Sequence, residues 1–211
     1  MKKLFVLAGL FLASVLVSCN APAESAAPAP DKLSVLKEVL KERKTIRQFD
    51  TAKVVSDEVI MDILWAANGV NREDGKRTAP SAVNMQDIEL YLCKSEGVYY
   101  YKAQLEELEQ VSATDIRPLF AGRNVAALKS PVILLVSNKA KFEKFGEEAA
   151  SRFSCMDAGY VSQNIYMYCS AAGMATVACA CGVNPKAIQE ALGLPEGMVA
   201  LLYHPIGYPA E

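Results

Sequence analysis

Two short polar segments carry the residue types best suited to bind a charged, flat ligand. Residues 43–49 read Arg-Lys-Thr-Ile-Arg-Gln-Phe and place three cations and a hydroxyl within five residues. Residues 79–86 read Ala-Pro-Ser-Ala-Val-Asn-Met-Gln and lie just before a predicted strand. Arginine offers a planar fork of donors that suits phosphate, and amides can hydrogen-bond the edge of a heterocycle. Together the segments predict a site for a mononucleotide such as FMN.

Each segment also has an ordinary structural explanation. Cations at the end of a helix are favoured by the helix dipole, by about 0.3–1 kcal/mol each, so residues 43–47 could be a solvated basic helix end. Proline, serine and asparagine are common turn formers, so residues 79–86 could be an ordinary turn before a strand. Arg77, just upstream, could add charge for a phosphate or be a solvated loop residue.

Several other kinds of site are disfavoured. The stretch from Gly69 to Lys76 misses the P-loop pattern, because its glycines are one residue too far apart and Arg77 stands where serine or threonine is needed. The single histidine, His204, has no acid or nucleophile beside it in the sequence, which argues against a catalytic triad or a histidine–metal site. A formal net charge of −2 argues against nucleic-acid binding.

The cysteines suggest a second functional hypothesis. Apart from Cys19, the chain has five cysteines, an odd number for a disulfide framework, and their spacing matches no zinc module. Most lie in apolar surroundings, where cysteine behaves as a small hydrophobic residue. Cys179 and Cys181, separated by one residue, could form a redox pair in an oxidising compartment, which would make the protein a thiol–disulfide protein.

The N-terminal residues differ from the rest of the chain. Lys2 and Lys3 precede an apolar run of 14 residues, and the segment ends in Leu-Val-Ser-Cys, which resembles a bacterial lipobox with Cys19 as the lipidated residue. A membrane span needs about 20 apolar residues, so residues 1–19 are predicted to be a lipoprotein signal peptide; an ordinary signal peptide or an uncleaved anchor is the alternative. Residues 20–31 are typical of a Pro/Ala-rich tether. The domain at 32–211 is thus predicted to be anchored in a bacterial cell envelope, facing the periplasm.

Hydrophobic periodicity predicts one α+β domain, with a central mixed β-sheet and helices on both faces. Residues 131–137 form a continuous apolar run that predicts a strand buried on both faces. Helices are predicted at residues 32–44, 57–68, 103–112, 151–173 and 185–192. Strands are predicted at residues 86–93, 98–102, 131–137, 174–178 and 198–203.

In their order and spacing, these segments resemble the nitroreductase family of FMN-dependent oxidoreductases, over residues 33–211. The matching pieces are residues 43–49, residues 79–86, Gly159, Gln163 and Asn164, Ala172-Gly173-Met174, and Gly207-Tyr208-Pro209. Residues 98–101 and 69–72 are similar to the branch that contains peptide thiazoline/oxazoline dehydrogenases. The resemblance implies a homodimer with FMN in each of two interfacial clefts.

The resemblance also implies which residues would contact the flavin. The first segment would hold the phosphate and ring edge, the second would line the isoalloxazine from the other subunit, and the turn at 180–182 would place a backbone N–H near flavin N5. No metal ligand or catalytic side chain is assigned, because the flavin carries the chemistry. The residues predicted to bind the cofactor are Arg43, Lys44, Thr45, Arg47, Pro80, Ser81, Asn84, Gln86, Cys181 and Gly182.

Two departures from the family pattern bear on function. The family often has a C-terminal base that reaches the phosphate, but no lysine or arginine follows Lys186 here, and Asp87 stands where proline is frequent. The sequence predicts an FMN-dependent oxidoreductase that passes hydride through flavin N5 to small nitro, quinone or enone acceptors, with an unknown electron donor. The missing base favours the alternative of a non-catalytic lipoprotein that binds flavin or another planar ligand.

Overall fold

The structure is a computed structural model that describes residues 31–120, 130–181 and 185–211. Residues 32–211 form one compact unit. The predicted signal peptide, the lipidation site Cys19 and nearly all of the predicted tether lie outside the described residues, as does Gly182, so the predictions made for them stay predictions. In the part of the chain that is described, no helix has both the length and the apolar character needed to span a membrane.

Four of the five predicted helices are confirmed. The second begins after Ser56, whose side chain accepts a hydrogen bond from the backbone N–H of Val59 at 3.3 Å. The longest begins at Glu147, four residues earlier than predicted. The helices are α1 (Lys32–Glu42), α2 (Asp57–Asn68), α3 (Glu147–Ala171) and α4 (Pro185–Leu192).

Seven described strands form one sheet in the order β3-β2-β1-β4-β7-β5, with β6 also paired to β7. They are β1 (Ile88–Lys94), β2 (Gly97–Lys102), β3 (Glu107–Ser112), β4 (Val132–Asn138), β5 (Ala175–Thr176), β6 (Cys179–Ala180) and β7 (Met198–Gly207). The α+β class is confirmed. All pairings among the described strands are antiparallel, so the expected mixed sheet was wrong. A continuous apolar run such as that of β4 predicts that the strand is buried on both faces, but it does not predict the direction of the neighbouring strands.

The helix predicted at residues 103–112 is also wrong, because this segment contains β3. Its glutamates favour a helix in isolation, but β3 pairs with β2 at the edge of the sheet, and Glu109 forms a 2.8 Å ion pair with Lys102 on β2. Charged side chains are common on edge strands, where they discourage pairing with other chains. The acidic pattern therefore marks an exposed sheet edge.

The central strand β4 separates two apolar cores. Ile133 and Leu135 face the first core, which includes residues of α2 and α3. Val132, Leu134 and Val136 face the second core, which includes Ile188 of α4. The expected helices on both faces are therefore present. Helix α1 differs from the others because it has no buried residue.

Candidate functional site

The cationic segment that follows α1 lies along strand β5 and the C-terminal residues. The backbone N–H of Ile46 donates to the carbonyl of Thr176 at 3.1 Å, and that of Asp50 donates to Tyr208 at 2.9 Å. Phe49 is buried against Ala175 and Val177. The segment at 43–49 is therefore held against the domain at both its middle and its end.

Tyr166 of α3 is the main side-chain support of this segment. Its hydroxyl oxygen lies 3.0 Å from the Thr45 hydroxyl oxygen and accepts a hydrogen bond from the backbone N–H of Ala178 at 2.9 Å. The Arg43 guanidinium carbon lies 5.3 Å from the centre of the Tyr166 ring, within the range of a cation–π contact. Sequence reasoning missed Tyr166, and no local signal in the sequence distinguishes it from other tyrosines of α3.

The three cationic residues of this segment that are predicted to bind the phosphate are accessible. Lys44 and Arg47 are exposed and Arg43 is half-buried, and none of the ion pairs resolved among the described residues uses these cations. Beside them opens a cavity of about 440 Å³. It is lined by Lys41, Glu42, Lys44, Ile46, Tyr166, Cys169, Ser170, Gly173, Met174 and Pro209.

The second predicted segment forms a strained loop between α2 and β1. Val83, Asn84 and Gln86 have positive φ angles of 46°, 56° and 49°, a conformation that is a genuine outlier for a β-branched residue such as valine. Such residues cost about 1–3 kcal/mol each and persist only where the surroundings hold them. Pro80 and Asn84 are exposed, and Ser81 is half-buried.

Several hydrogen bonds hold this loop in place. The Ser81 hydroxyl accepts the backbone N–H of Gln86 at 2.9 Å. The Gln86 side-chain amide accepts from Arg77 Nε at 3.2 Å and donates to the carbonyl of Gly75 at 3.2 Å. Arg77 also donates to the carbonyl of Asn68 at 2.9 Å. Both polar atoms of the Gln86 amide thus have protein partners, and Arg77 supports the loop.

Beneath the loop lies a buried acidic network that sequence reasoning did not predict. Both carboxylate oxygens of Asp157 on α3 accept the backbone N–H of Ala82, at 3.0 and 2.9 Å. Asp87 accepts a hydrogen bond from the Ser137 hydroxyl, which lies 2.7 Å from the Ser154 hydroxyl. Burial and the neighbouring Asp87 carboxyl raise the pKa of Asp157 to about 7.

His204 belongs to the core and not to the open cavity. Its Nε2 lies 2.8 Å from the Ser162 hydroxyl and its Nδ1 lies 3.0 Å from the Thr176 hydroxyl. Burial lowers the pKa of His204 to about 3, so the imidazole is neutral at physiological pH. Its ring packs edge-on against Tyr166, with 5.4 Å between the ring centres. The packing of His204 against Tyr166 therefore helps to fix the position of the Tyr166 ring.

The predicted turn at 180–182 is only partly described. The backbone N–H of Cys181 already donates to the carbonyl of Leu201 at 3.0 Å, and Gly182 lies outside the described residues. Burial raises the pKa of the Cys181 thiol to about 12, and Cys179 and Cys181 are both free thiols. A thiol with a raised pKa has little thiolate, the reactive form, which argues against the thiol–disulfide hypothesis.

The structure is thus an α+β domain with a cationic segment next to a cavity and a strained polar loop before β1. The nitroreductase family model matches residues 40–208, and the chain belongs to this family. A nitroreductase-type protein from Methanocaldococcus jannaschii is 28% identical over 189 residues, covering 83% of this chain and 92% of its own. Membership makes the protein a flavin-dependent oxidoreductase in general terms.

Comparison with solved structures supports the family assignment. A nitroreductase-type crystal structure from Ralstonia eutropha has a TM-score of 0.77 and 30% identity, covering 87% of this chain and 88% of its own. A chain of the Escherichia coli microcin synthetase complex has a TM-score of 0.71 at 16% identity, covering 96% of this chain and 85% of its own. At that identity the second likeness concerns the fold alone. The assignment to the thiazoline/oxazoline dehydrogenase branch stays a prediction.

Proposed function

We propose that the protein is an FMN-dependent oxidoreductase that uses small nitro, quinone or enone compounds as acceptors. The observation that carries this proposal is the 43–47 segment. Its cations lie within five residues, and Lys44 lines a cavity. The Ile46 N–H bond to Thr176 and the contact between Tyr166 and Thr45 hold the segment in place. Cations without carboxylate partners, on a fixed backbone, suit a phosphate dianion.

The described residues fit both the phosphate and the ring system of such a cofactor. Arg43, Lys44, Thr45 and Arg47 would hold the phosphate. Pro80, Ser81 and Asn84 are accessible and would line the ring system, whereas Gln86 would act mainly by shaping the loop. The bound flavin would supply the hydride chemistry, and the protein would supply binding and orientation.

The placement of the two segments in one protomer supports the proposal of a homodimer. Asp157, which holds the second segment, and Tyr166, which holds the first, lie nine residues apart on α3, about two and a half turns. They therefore project from opposite sides of the helix, and one flavin would contact both segments most simply if a partner subunit supplied one of them. Leu36 and Leu40 of α1 are 47% and 50% exposed, as expected of surface that is covered on assembly.

The proposed location affects the choice of electron donor. If Cys19 is lipidated, the domain lies in the cell envelope, where NAD(P)H is not normally present. The proposal is then that a membrane-bound carrier, or the substrate itself, reduces the flavin.

Purified full-length protein in detergent tests the proposal directly. FMN binding should give absorbance at about 450 nm that disappears on anaerobic reduction with dithionite. Reoxidation by an added nitroaromatic or quinone supports the enzyme. A flavin that binds but stays reduced supports the second candidate, a non-catalytic binder. The observation in favour of this candidate is that both polar atoms of the Gln86 amide already have protein partners. Protein that binds no flavin at any concentration contradicts both.

A further inference from the structure

Two fully buried carboxyl groups lie beneath the loop at residues 81–86. Asp157 accepts the backbone N–H of Ala82, the first residue of the turn that contains Val83. Asp87 accepts from Ser137 through Oδ2, while its Oδ1 is buried and receives no hydrogen bond from a described N–H or hydroxyl group. Ser154, whose hydroxyl lies 2.7 Å from that of Ser137, is three residues before Asp157 on α3, so the two carboxyl groups are neighbours.

The described cations around this pair of carboxyl groups form hydrogen bonds or ion pairs with other groups. Arg77 lines the same small cavity as Asp157, but its guanidinium donates to Gln86 and to the carbonyl of Asn68. Lys141 donates to the backbone carbonyl of Gln86, and Lys139 pairs with Glu147. Two ionised carboxylates would therefore be buried together without a direct ion pair, an arrangement with a large desolvation and repulsion cost.

One proton shared by the two groups satisfies every polar atom of the network. A proton on Asp157 would be donated to Asp87 Oδ1, and the other Asp157 oxygen would still accept the Ala82 N–H. The chain of hydrogen bonds would then run from Ser154 through Ser137 and Asp87 to Asp157. Burial and the Asp87 carboxyl raise the pKa of Asp157, in keeping with a retained proton.

We propose that Asp87 and Asp157 hold one proton between them and act as positioning residues for the 81–86 loop, so that loss of this proton weakens cofactor binding. The effect on the cofactor rests on the proposed function. Loss of the proton leaves two carboxylates repelling each other directly behind Ala82. The three positive-φ residues then lose part of the support that keeps them in an unfavourable conformation.

The substitution Asp157→Asn separates this proposal from a purely structural role. An asparagine can donate to Asp87 and accept from Ala82 at every pH, so it imitates the protonated pair permanently. FMN affinity of the wild type should fall between about pH 7 and pH 9 by up to about tenfold per pH unit. Asp157→Asn should match the wild type at about pH 6 and show a flatter profile above about pH 7. The ligand's own titration is the same in both measurements and cancels in their ratio.

Three further variants complete the test. Asp87→Asn should also flatten the profile, and it replaces Asp157→Asn if the latter does not fold. Asp157→Ala removes the acceptor for Ala82 and should weaken FMN binding at all pH values. Asp62→Asn removes an exposed carboxylate near α3 and should keep the wild-type profile. The proposal is overturned if Asp157→Asn and Asp87→Asn both retain the wild-type pH dependence, or if the wild type has none beyond that of free FMN.

A flavin-free measurement distinguishes failure of this proposal from failure of the proposed function. Urea unfolding of the wild type should show a loss of stability as pH rises from about 4 to about 7, and Asp157→Asn should lack this component. If the protein binds no FMN but the two unfolding profiles differ in this way, the shared proton stands and the flavin function fails. Identical unfolding profiles contradict the shared proton.

Discussion

The hydroxyl oxygens of Tyr166 and Thr45 lie 3.0 Å apart although the two residues are 121 positions apart in the chain. The same Tyr166 oxygen also receives the backbone N–H of Ala178. One side chain of α3 therefore joins the predicted phosphate-binding segment to the chain that leads into β6. This contact explains how an exposed cationic segment can be held in a fixed conformation.

Replacing Tyr166 with phenylalanine should weaken FMN binding by about 1 kcal/mol, or roughly fivefold, because one hydrogen bond that positions Thr45 is lost. The free energy of unfolding should fall by about 1–2 kcal/mol, since the N–H of Ala178 also loses its acceptor. Titration of FMN followed by flavin fluorescence, together with urea unfolding, measures both quantities.

Tyr168→Phe is the matched control for this substitution. Tyr168 also lies on α3 and donates to the exposed Asp62 at 3.2 Å, so its loss should leave FMN affinity unchanged. Thr45→Val should weaken binding more than Tyr166→Phe, because it also removes a hydroxyl predicted to contact the phosphate. The double variant should lose less than the sum, because both changes remove the same hydrogen bond. Full additivity would show that the Tyr166–Thr45 contact does not contribute.

Replacing Arg47 with alanine should weaken FMN binding by about 1.5–3 kcal/mol, the usual range for a charge-assisted hydrogen bond. The free energy of unfolding should change little, because Arg47 is exposed and none of the ion pairs resolved among the described residues involves it. Equilibrium dialysis of FMN at low and moderate salt gives the affinity and its ionic-strength dependence.

Lys186→Ala, at an exposed position of α4, controls for a general loss of positive charge and should retain wild-type affinity. Equal flavin occupancy in Arg47→Ala and the wild type would remove the phosphate role from this residue. An equal loss in both variants would indicate non-specific attraction of an anion by the surface.

The sequence was sufficient to predict most elements of the fold. The helices α2 and α4 carry capping and stop signals, and β4 is a continuous apolar run. The error at 103–112 arose because helix propensity is a local property, whereas β3 exists only through its pairing with β2. The strand directions were missed for the same reason, since no single strand carries the direction of its neighbour.

The candidate site was predictable only in its contact residues. Arg43, Lys44 and Arg47 can be recognised by type and spacing, because a phosphate requires such groups wherever they occur. Their supports cannot be recognised in this way. Tyr166 and Asp157 act on residues 121 and 75 positions away, and these contacts exist only once α3 is packed against both segments.

Replacing His204 with asparagine should reduce the loss of stability at acidic pH. Burial lowers the pKa of His204 from 6.5 to about 3, so between these values the unfolded chain binds a proton that the folded protein does not. Stability from this group is therefore complete above about pH 6.5 and falls as pH decreases, by up to about 1.4 kcal/mol per pH unit. Urea unfolding at about pH 7.5, 6 and 5 gives the slope for each protein.

The His204→Asn variant should be less stable than the wild type near neutral pH, because the hydrogen bonds to Ser162 and Thr176 are altered, but its pH profile should be flatter. Over part of this pH range Asp157 makes the free energy of unfolding change with pH in the opposite direction. This contribution is the same in both proteins. Parallel profiles would mean that the imidazole takes up its proton without unfolding, which would contradict the burial seen at 0% exposure.

Replacing Val83 with asparagine should increase the free energy of unfolding by about 1 kcal/mol. Val83 has φ 46° and a side chain that is 59% exposed, so the substitution relieves backbone strain and removes little packing. Asparagine tolerates this conformation better than a β-branched residue does. Urea unfolding of the variant and the wild type gives the difference.

Val111→Asn, at an exposed strand position of β3, is the matched control for Val83→Asn and should be neutral or destabilising. If Val83 contacts the cofactor or the partner subunit, the stabilised variant should bind FMN more weakly or dimerise less, which FMN titration and gel filtration would detect. An unchanged or lower stability in Val83→Asn, with both assembly and binding intact, would show that the loop carries no strain at this residue.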